Sequence, residues 1–131
     1  MTRYSKLAIS SDKAPKALGP YSAGIRISNI IYTAGQLGII PSTGDLALGG
    51  IEAETRQALD NLGAVLVAAG SSFSHVVKTT VFLRDMADFT RMNNIYAEYF
   101  DAPYPARSTI QVAALPKGGM IEIEAVAIIP D

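Results

Sequence analysis

The side chains best suited to chemistry stand in the last third of the chain. Arg107, Thr109 and Gln111 occupy alternate positions of 105–112, and Glu122 and Glu124 do the same in 120–127. A period of two is the mark of half-buried strands, so each set shares one strand face. Ile110 and Val112, with Ile121, Ile123 and Ala125, then point the other way, into a core. Paired as an antiparallel hairpin closed near 114–116, the two strands bring Arg107 opposite or diagonal to Glu122. That juxtaposition sets a fixed cation beside a carboxylate on a polar sheet face.

Two chemistries are open to such a pair. As a surface ion pair it contributes at most about 1 kcal/mol. In an enclosed cleft, the planar guanidinium grips a substrate carboxylate through two parallel hydrogen bonds, which also orient it. The glutamate can then polarise a water, a role worth about 10²–10⁴-fold in rate. Tyr21 follows Gly19-Pro20 at the mouth of a strand, either as a half-buried aromatic or as an available hydroxyl. Gly35 can offer its backbone N–H to a ligand oxygen or simply end a strand. Asn93 lies on a helix and is by default a solvated polar residue, and His75 reads as surface.

Composition narrows the classes. The 131 residues are 49% hydrophobic and 18% charged, a balance that suits a subunit burying more surface against copies of itself. A net charge of -1 and a pI near 5.8 speak against a nucleic-acid footprint. Without cysteine there is no disulfide, thiolate nucleophile or Cys-based metal site, and one histidine makes a His-built zinc site a poor reading. No metal is therefore expected. Met1-Thr2-Arg3-Tyr4-Ser5-Lys6 is not followed by a long apolar run, and no stretch approaches a membrane span, so a soluble cytoplasmic protein is expected.

The elements that must position these residues follow from periodicity and punctuation. Strands are expected over 6–10, 22–27, 30–36 and 76–84, with a tight turn at Asn29. Residues 51–69 repeat apolar positions at helical spacing, with Glu52 and Glu54 in the first turn and Gly70 as the stop signal. A second helix, capped by Asp88 or Thr90, carries the stripe Phe89, Met92, Tyr96, Tyr99 and Phe100 and ends before Pro103 and Pro105. With the terminal hairpin the order is β-β-β-α-β-α-β-β. The expectation is one α+β domain, 1–131, with a six-stranded, mainly antiparallel sheet and both helices on one face. The uncovered face then meets water or another subunit.

Five runs resemble one family: Gly19-Pro20-Tyr21-Ser22, Thr33-Ala34-Gly35-Gln36, Lys78-Thr79-Thr80-Val81-Phe82-Leu83, Pro105-Ala106-Arg107-Ser108 and Ile121-Glu122-Ile123-Glu124-Ala125. They are similar to the YjgF/RidA family of reactive intermediate (enamine/imine) deaminases, in matching order and spacing over about 7–128. The resemblance implies a chorismate-mutase-like subunit assembled as a homotrimer, with clefts between neighbouring subunits. It implies hydrolysis of 2-aminoacrylate and related 2-imino acids, such as 2-iminobutanoate and 2-iminopropanoate, to 2-oxo acids and ammonia without a cofactor. Position by position, it assigns the carboxylate-binding arginine to Arg107 and the water-activating glutamate to Glu122. The site tyrosine falls on Tyr21, the helix asparagine on Asn93 and the backbone amide contact on Gly35. Thr109 stands in the site where some members have cysteine, and Ala34 where some have serine. The rival readings are a regulatory trimer that binds 2-oxo acids without turnover, and a nuclease, against which the acidic pI and the lone His75 speak.

Overall fold

The computed structural model describes residues 5–131; Met1, Thr2, Arg3 and Tyr4, the head of the N-terminal segment, lie outside the described residues. The chain runs β1 (Lys6–Ile9), β2 (Gly24–Ile27), β3 (Ile30–Thr33), β4 (Gln36–Leu37), α1 (Gly50–Ala68), β5 (Val76–Leu83), α2 (Phe89–Tyr96), β6 (Ala106–Gln111) and β7 (Ile121–Ile128). The strands form one sheet in the order β1-β2-β3-β7-β5-β6, with β4 also paired to β7. The result is an α+β fold, one sheet backed by two helices.

The helix stripe is the core. Ile51, Ala58, Leu59, Leu62 and Leu66 of α1 are buried, and they pack with Met92, Ile95, Tyr96 and Phe100 against Ile31, Val81, Leu83, Ile121, Ile123 and Ala125 of the sheet. Gly70 ends α1 as its sequence position requires. It sits at φ 86°, its N–H bonds Val67 O, and Ser71 N bonds Leu66 O, the paired bonds of a Schellman motif. Asp88 precedes α2 without capping it; its carboxylate instead takes Arg91 at 2.8 Å.

Three polar residues of α1, Glu54, Thr55 and Asn61, are also buried, and Glu54 and Asn61 tie the helix to the strands that matter below. Glu54 Oε1 accepts from Met120 N (2.9 Å) at the entry to β7, and Asn61 Nδ2 donates to Leu37 O (3.0 Å) and Ile39 O (2.8 Å) around β4. Asn61→Ala leaves two carbonyls without their donor and is expected to lower unfolding free energy by about 2–4 kcal/mol. Chemical denaturation at fixed protein concentration checks this; a loss below about 0.5 kcal/mol would contradict it.

Two expectations need correction. The third strand, expected over 30–36, breaks at Ala34-Gly35, and Gln36–Leu37 forms a separate short strand, giving a seven-stranded sheet in place of six. The larger correction is that β6 and β7 do not form a hairpin. β5 lies between them, parallel to β6 and antiparallel to β7. The connection 112–120 is long enough to pass the end of β5, whose exit it embraces: Val112 N bonds Leu83 O and Arg84 N bonds Met120 O. β5 supplies Thr79, Val81 and Leu83, all fully buried, and a strand with that much to bury belongs inside a sheet.

Candidate active site

Register decides where the chemistry-bearing side chains point. Thr79 pairs with Arg107 and Val81 with Thr109, so Arg107 and Thr109 share the helix-covered face with Thr79 and Val81. Phe82 pairs with both Ile110 and Glu122, so Glu122 lies on the opposite, open face, as does Ile110, which is 45% exposed rather than in the core. Two strand spacings and three residues along the strand separate Arg107 from Glu122, about 14 Å between Cα atoms. The expected cation beside a carboxylate does not exist within one chain.

The arginine half-site is built on α2 and β6. The Arg107 guanidinium lies 4.7 Å from the Tyr96 ring centroid and 5.5 Å from that of Phe89. No carboxylate of the described residues pairs with it. Its cleft, about 460 Å³, is lined by Asn93, Tyr96, Ala97, Tyr104, Pro105 and Arg107. Asn93 stands one turn before Tyr96 on the same helix face. Asn93 Oδ1 and Thr109 Oγ1 are buried without a hydrogen-bond partner among the described residues. Burial lifts the Tyr96 phenol above its ordinary value of 10.0, against the opposing Thr79 hydrogen bond and Arg107 charge. It is therefore neutral at physiological pH.

The glutamate half-site is built on β7, β4 and the loop before β2. Leu37 pairs with Glu122, and the turn into β4 lays the Glu122 carboxylate over the Gly35 backbone. A Cβ on Gly35 would lie 2.5 Å from Glu122 Oε2 and 2.6 Å from its carboxyl carbon. The amide N–H of Gly35 has no hydrogen-bond partner among the described residues. Tyr21 and Gly35 line one cavity with Leu18 and Ala23. Tyr21 Oη accepts from Leu18 N at 3.1 Å, which fixes the phenol within its own Gly-Pro loop. Partial burial, and secondarily the charge of Glu124, hold the Glu122 carboxyl above its ordinary value of 4.5.

Gly35 is thus required for close approach, not for unusual backbone angles. Gly35→Ala displaces the Glu122 carboxylate, and about a 10²-fold loss of kcat is expected for the imine hydrolysis that the sequence resemblance implies. The check is turnover of the purified variant alongside its circular dichroism; activity within twofold of the parent would dismiss the contact.

The six site residues read from sequence fall into two groups: Arg107, Asn93 and Thr109 on one side, Glu122, Gly35 and Tyr21 on the other. Sequence reasoning missed Tyr96 and Tyr104 as walls of the arginine cleft and Phe89 as a ring near the guanidinium. Tyr96 and Phe89 are visible in the sequence only as members of the α2 stripe, a signal that does not separate a site wall from a core residue. Gln111 is outside both groups, its Oε1 accepting from Met86 N. His75 is engaged locally, its Nδ1 3.0 Å from Ser72 Oγ.

Known proteins resemble this chain along most of its length. A family model described as endoribonuclease L-PSP matches residues 11–129. A human protein named 2-iminobutanoate/2-iminopropanoate deaminase is 52% identical over 98% of this chain and 93% of its own. Reactive Intermediate Deaminase A, chloroplastic, of Arabidopsis thaliana is 52% identical over 93% of this chain and 65% of its own. Among solved structures, RidA from an Antarctic Psychrobacter species superposes with a TM-score of 0.91 at 44% identity, covering 94% of this chain and 99% of that one. E. coli TdcF with bound serine gives 0.89 at 40% identity, covering 93% and 98%. Model, sequences and structures agree over nearly the full length, and the chain belongs to the YjgF/RidA family.

Proposed function

We propose that this chain is a 2-iminobutanoate/2-iminopropanoate deaminase, a single domain over 1–131 that assembles as a homotrimer and acts in the cytoplasm. Its site is shared between subunits: Arg107, Asn93 and Thr109 of one meet Glu122, Gly35 and Tyr21 of the next. One observation carries this reading. A guanidinium without an ionic partner among the described residues and a carboxylate of raised pKa lie on opposite faces of the same sheet, an arrangement that supports their meeting across a subunit contact. The open face supports it. Tyr32 is 50% exposed and Ile110 45% exposed there, an apolar content that favours a subunit interface over water.

The chemistry needs little more. Arg107 takes the substrate carboxylate in a two-pronged hydrogen bond, and the Gly35 amide is available to a substrate oxygen. An enamine such as 2-aminoacrylate first tautomerises to its imine. Glu122 accepts a proton from water as the water oxygen bonds to the carbon of the protonated imine, whose C=N π pair moves to nitrogen, giving a carbinolamine. Glu122 returns that proton to the amine nitrogen; ammonia leaves with the C–N bonding pair while the hydroxyl gives its proton to the Glu122 carboxylate and its oxygen becomes the 2-oxo group. Such imines hydrolyse unaided, so positioning and general-base help suffice.

The test couples the protein to a threonine dehydratase and follows 2-oxobutanoate and ammonia, with semicarbazide competing for the imine. Acceleration above the spontaneous rate is the expected result. Release no faster than spontaneous for several imines, with 2-oxobutanoate still bound, would replace the enzyme by a regulatory 2-oxo acid binder.

A further inference from the structure

An arginine that must present its N–H groups to a substrate needs to be held still without using them. Side chains of this length usually gain such order from a carboxylate, and Arg107 has none among the described residues. What lies against it is the ring of Tyr96, at 4.7 Å, with Phe89 farther off at 5.5 Å. The Tyr96 ring is itself fixed. The residue is 6% exposed, its hydroxyl shares a 2.8 Å hydrogen bond with Thr79 Oγ1, and its ring stacks on Phe100 with centroids 4.4 Å apart. Thr79 is also the residue paired with Arg107 across β5 and β6, so ring and guanidinium are referenced to the same rung of the sheet.

The geometry points to Tyr96 as the positioning residue of the carboxylate clamp: its ring, fixed by Thr79 and Phe100, holds the Arg107 guanidinium by cation–π contact and leaves the N–H donors to the substrate. The inference rests on Arg107 taking the substrate carboxylate. An acidic partner in place of the ring would compete with that carboxylate for the same donors; a π face does not.

The test is the affinity for 2-oxobutanoate by calorimetry, together with steady-state kinetics. Tyr96→Leu is expected to weaken binding about 5- to 30-fold, the range of a partly desolvated cation–π contact. Because the carboxylate is held alike in ground and transition states, KM should rise with kcat little changed. Tyr96→Phe keeps the π face and loses only the hydroxyl bonded to Thr79, so it should stay within about threefold of the parent. In an Arg107→Ala background, Tyr96→Leu should change residual affinity less than about twofold, since the interaction it supports is gone. If Tyr96→Leu does not fold, Tyr96→Met fills more of the ring volume without a π face and takes its place. Weak binding by Arg107→Ala with unchanged binding by Tyr96→Leu overturns this inference alone. Unchanged binding by Arg107→Ala overturns the reading beneath it.

Discussion

Replacing Arg107 by alanine is expected to cut kcat/KM for 2-iminobutanoate about 10²–10³-fold, the cost of removing one partner of a desolvated, hydrogen-bonded charge pair. The expectation follows from the vacancy around the guanidinium: with no carboxylate of the chain engaged, its fork is available to a ligand. Arg107→Lys should recover only part of the loss, because an ammonium supplies the charge without the planar two-pronged geometry. Folding should be little affected, since the side chain's main contacts are with the Tyr96 and Phe89 rings at the margin of the core. The dehydratase-coupled assay, with thermal unfolding as control, decides the matter. Retention of half the activity by a folded Arg107→Ala protein would remove Arg107 from the site.

Glu122→Gln is expected to cost about 10²–10⁴-fold in kcat, the worth of a positioned general base. The parent's acid limb should lie above 4.5, because burial first and Glu124 second raise the carboxyl, and activity needs the deprotonated form. Glu124→Gln removes the neighbouring charge and should move the limb to lower pH, while Glu122→Gln should abolish it. Stability has the opposite sign from the usual paired carboxylate. A pKa raised on folding means the native state holds the proton more tightly, so this group's contribution is full below its unfolded value and lost as pH rises through the folded one. Glu122→Gln should therefore be no less stable than the parent at neutral pH.

The two inactive variants together test the shared site. In the homotrimer proposed above, random mixing of Arg107→Ala and Glu122→Gln subunits gives about a quarter of the interfaces the intact residue from both sides, so about a quarter of parental activity should return. Subunit mixing that restores nothing would show that both residues act within one chain.

Much of this protein was legible locally. Helical spacing of apolar residues marked α1 and α2, Gly70 marked the end of α1, and alternation marked β5, β6 and β7. These signals depend on near neighbours in the chain: a side chain three or four positions on shares a helix face, and one two positions on shares a strand face. The candidate residues were legible too, through residue type and through the five runs shared with the YjgF/RidA family.

Tertiary structure alone decided how these pieces meet. Alternation says that Arg107 and Thr109 share a face, and that Glu122 and Glu124 share one, but not whether the two faces coincide. That depends on which strand each pairs with and in what register, where a shift of one residue reverses every side chain. Inserting β5 between β6 and β7 placed Arg107 under α2, left Glu122 on the open face, and turned Ile110 out of the core. The break at Ala34-Gly35 and the close seat of Glu122 on Gly35 arise from the pairing of β4 with β7, a contact between segments far apart in sequence. Tyr96 carried the same helical signal as its core neighbours; only the register of Thr79 with Arg107 set its ring beneath a cation.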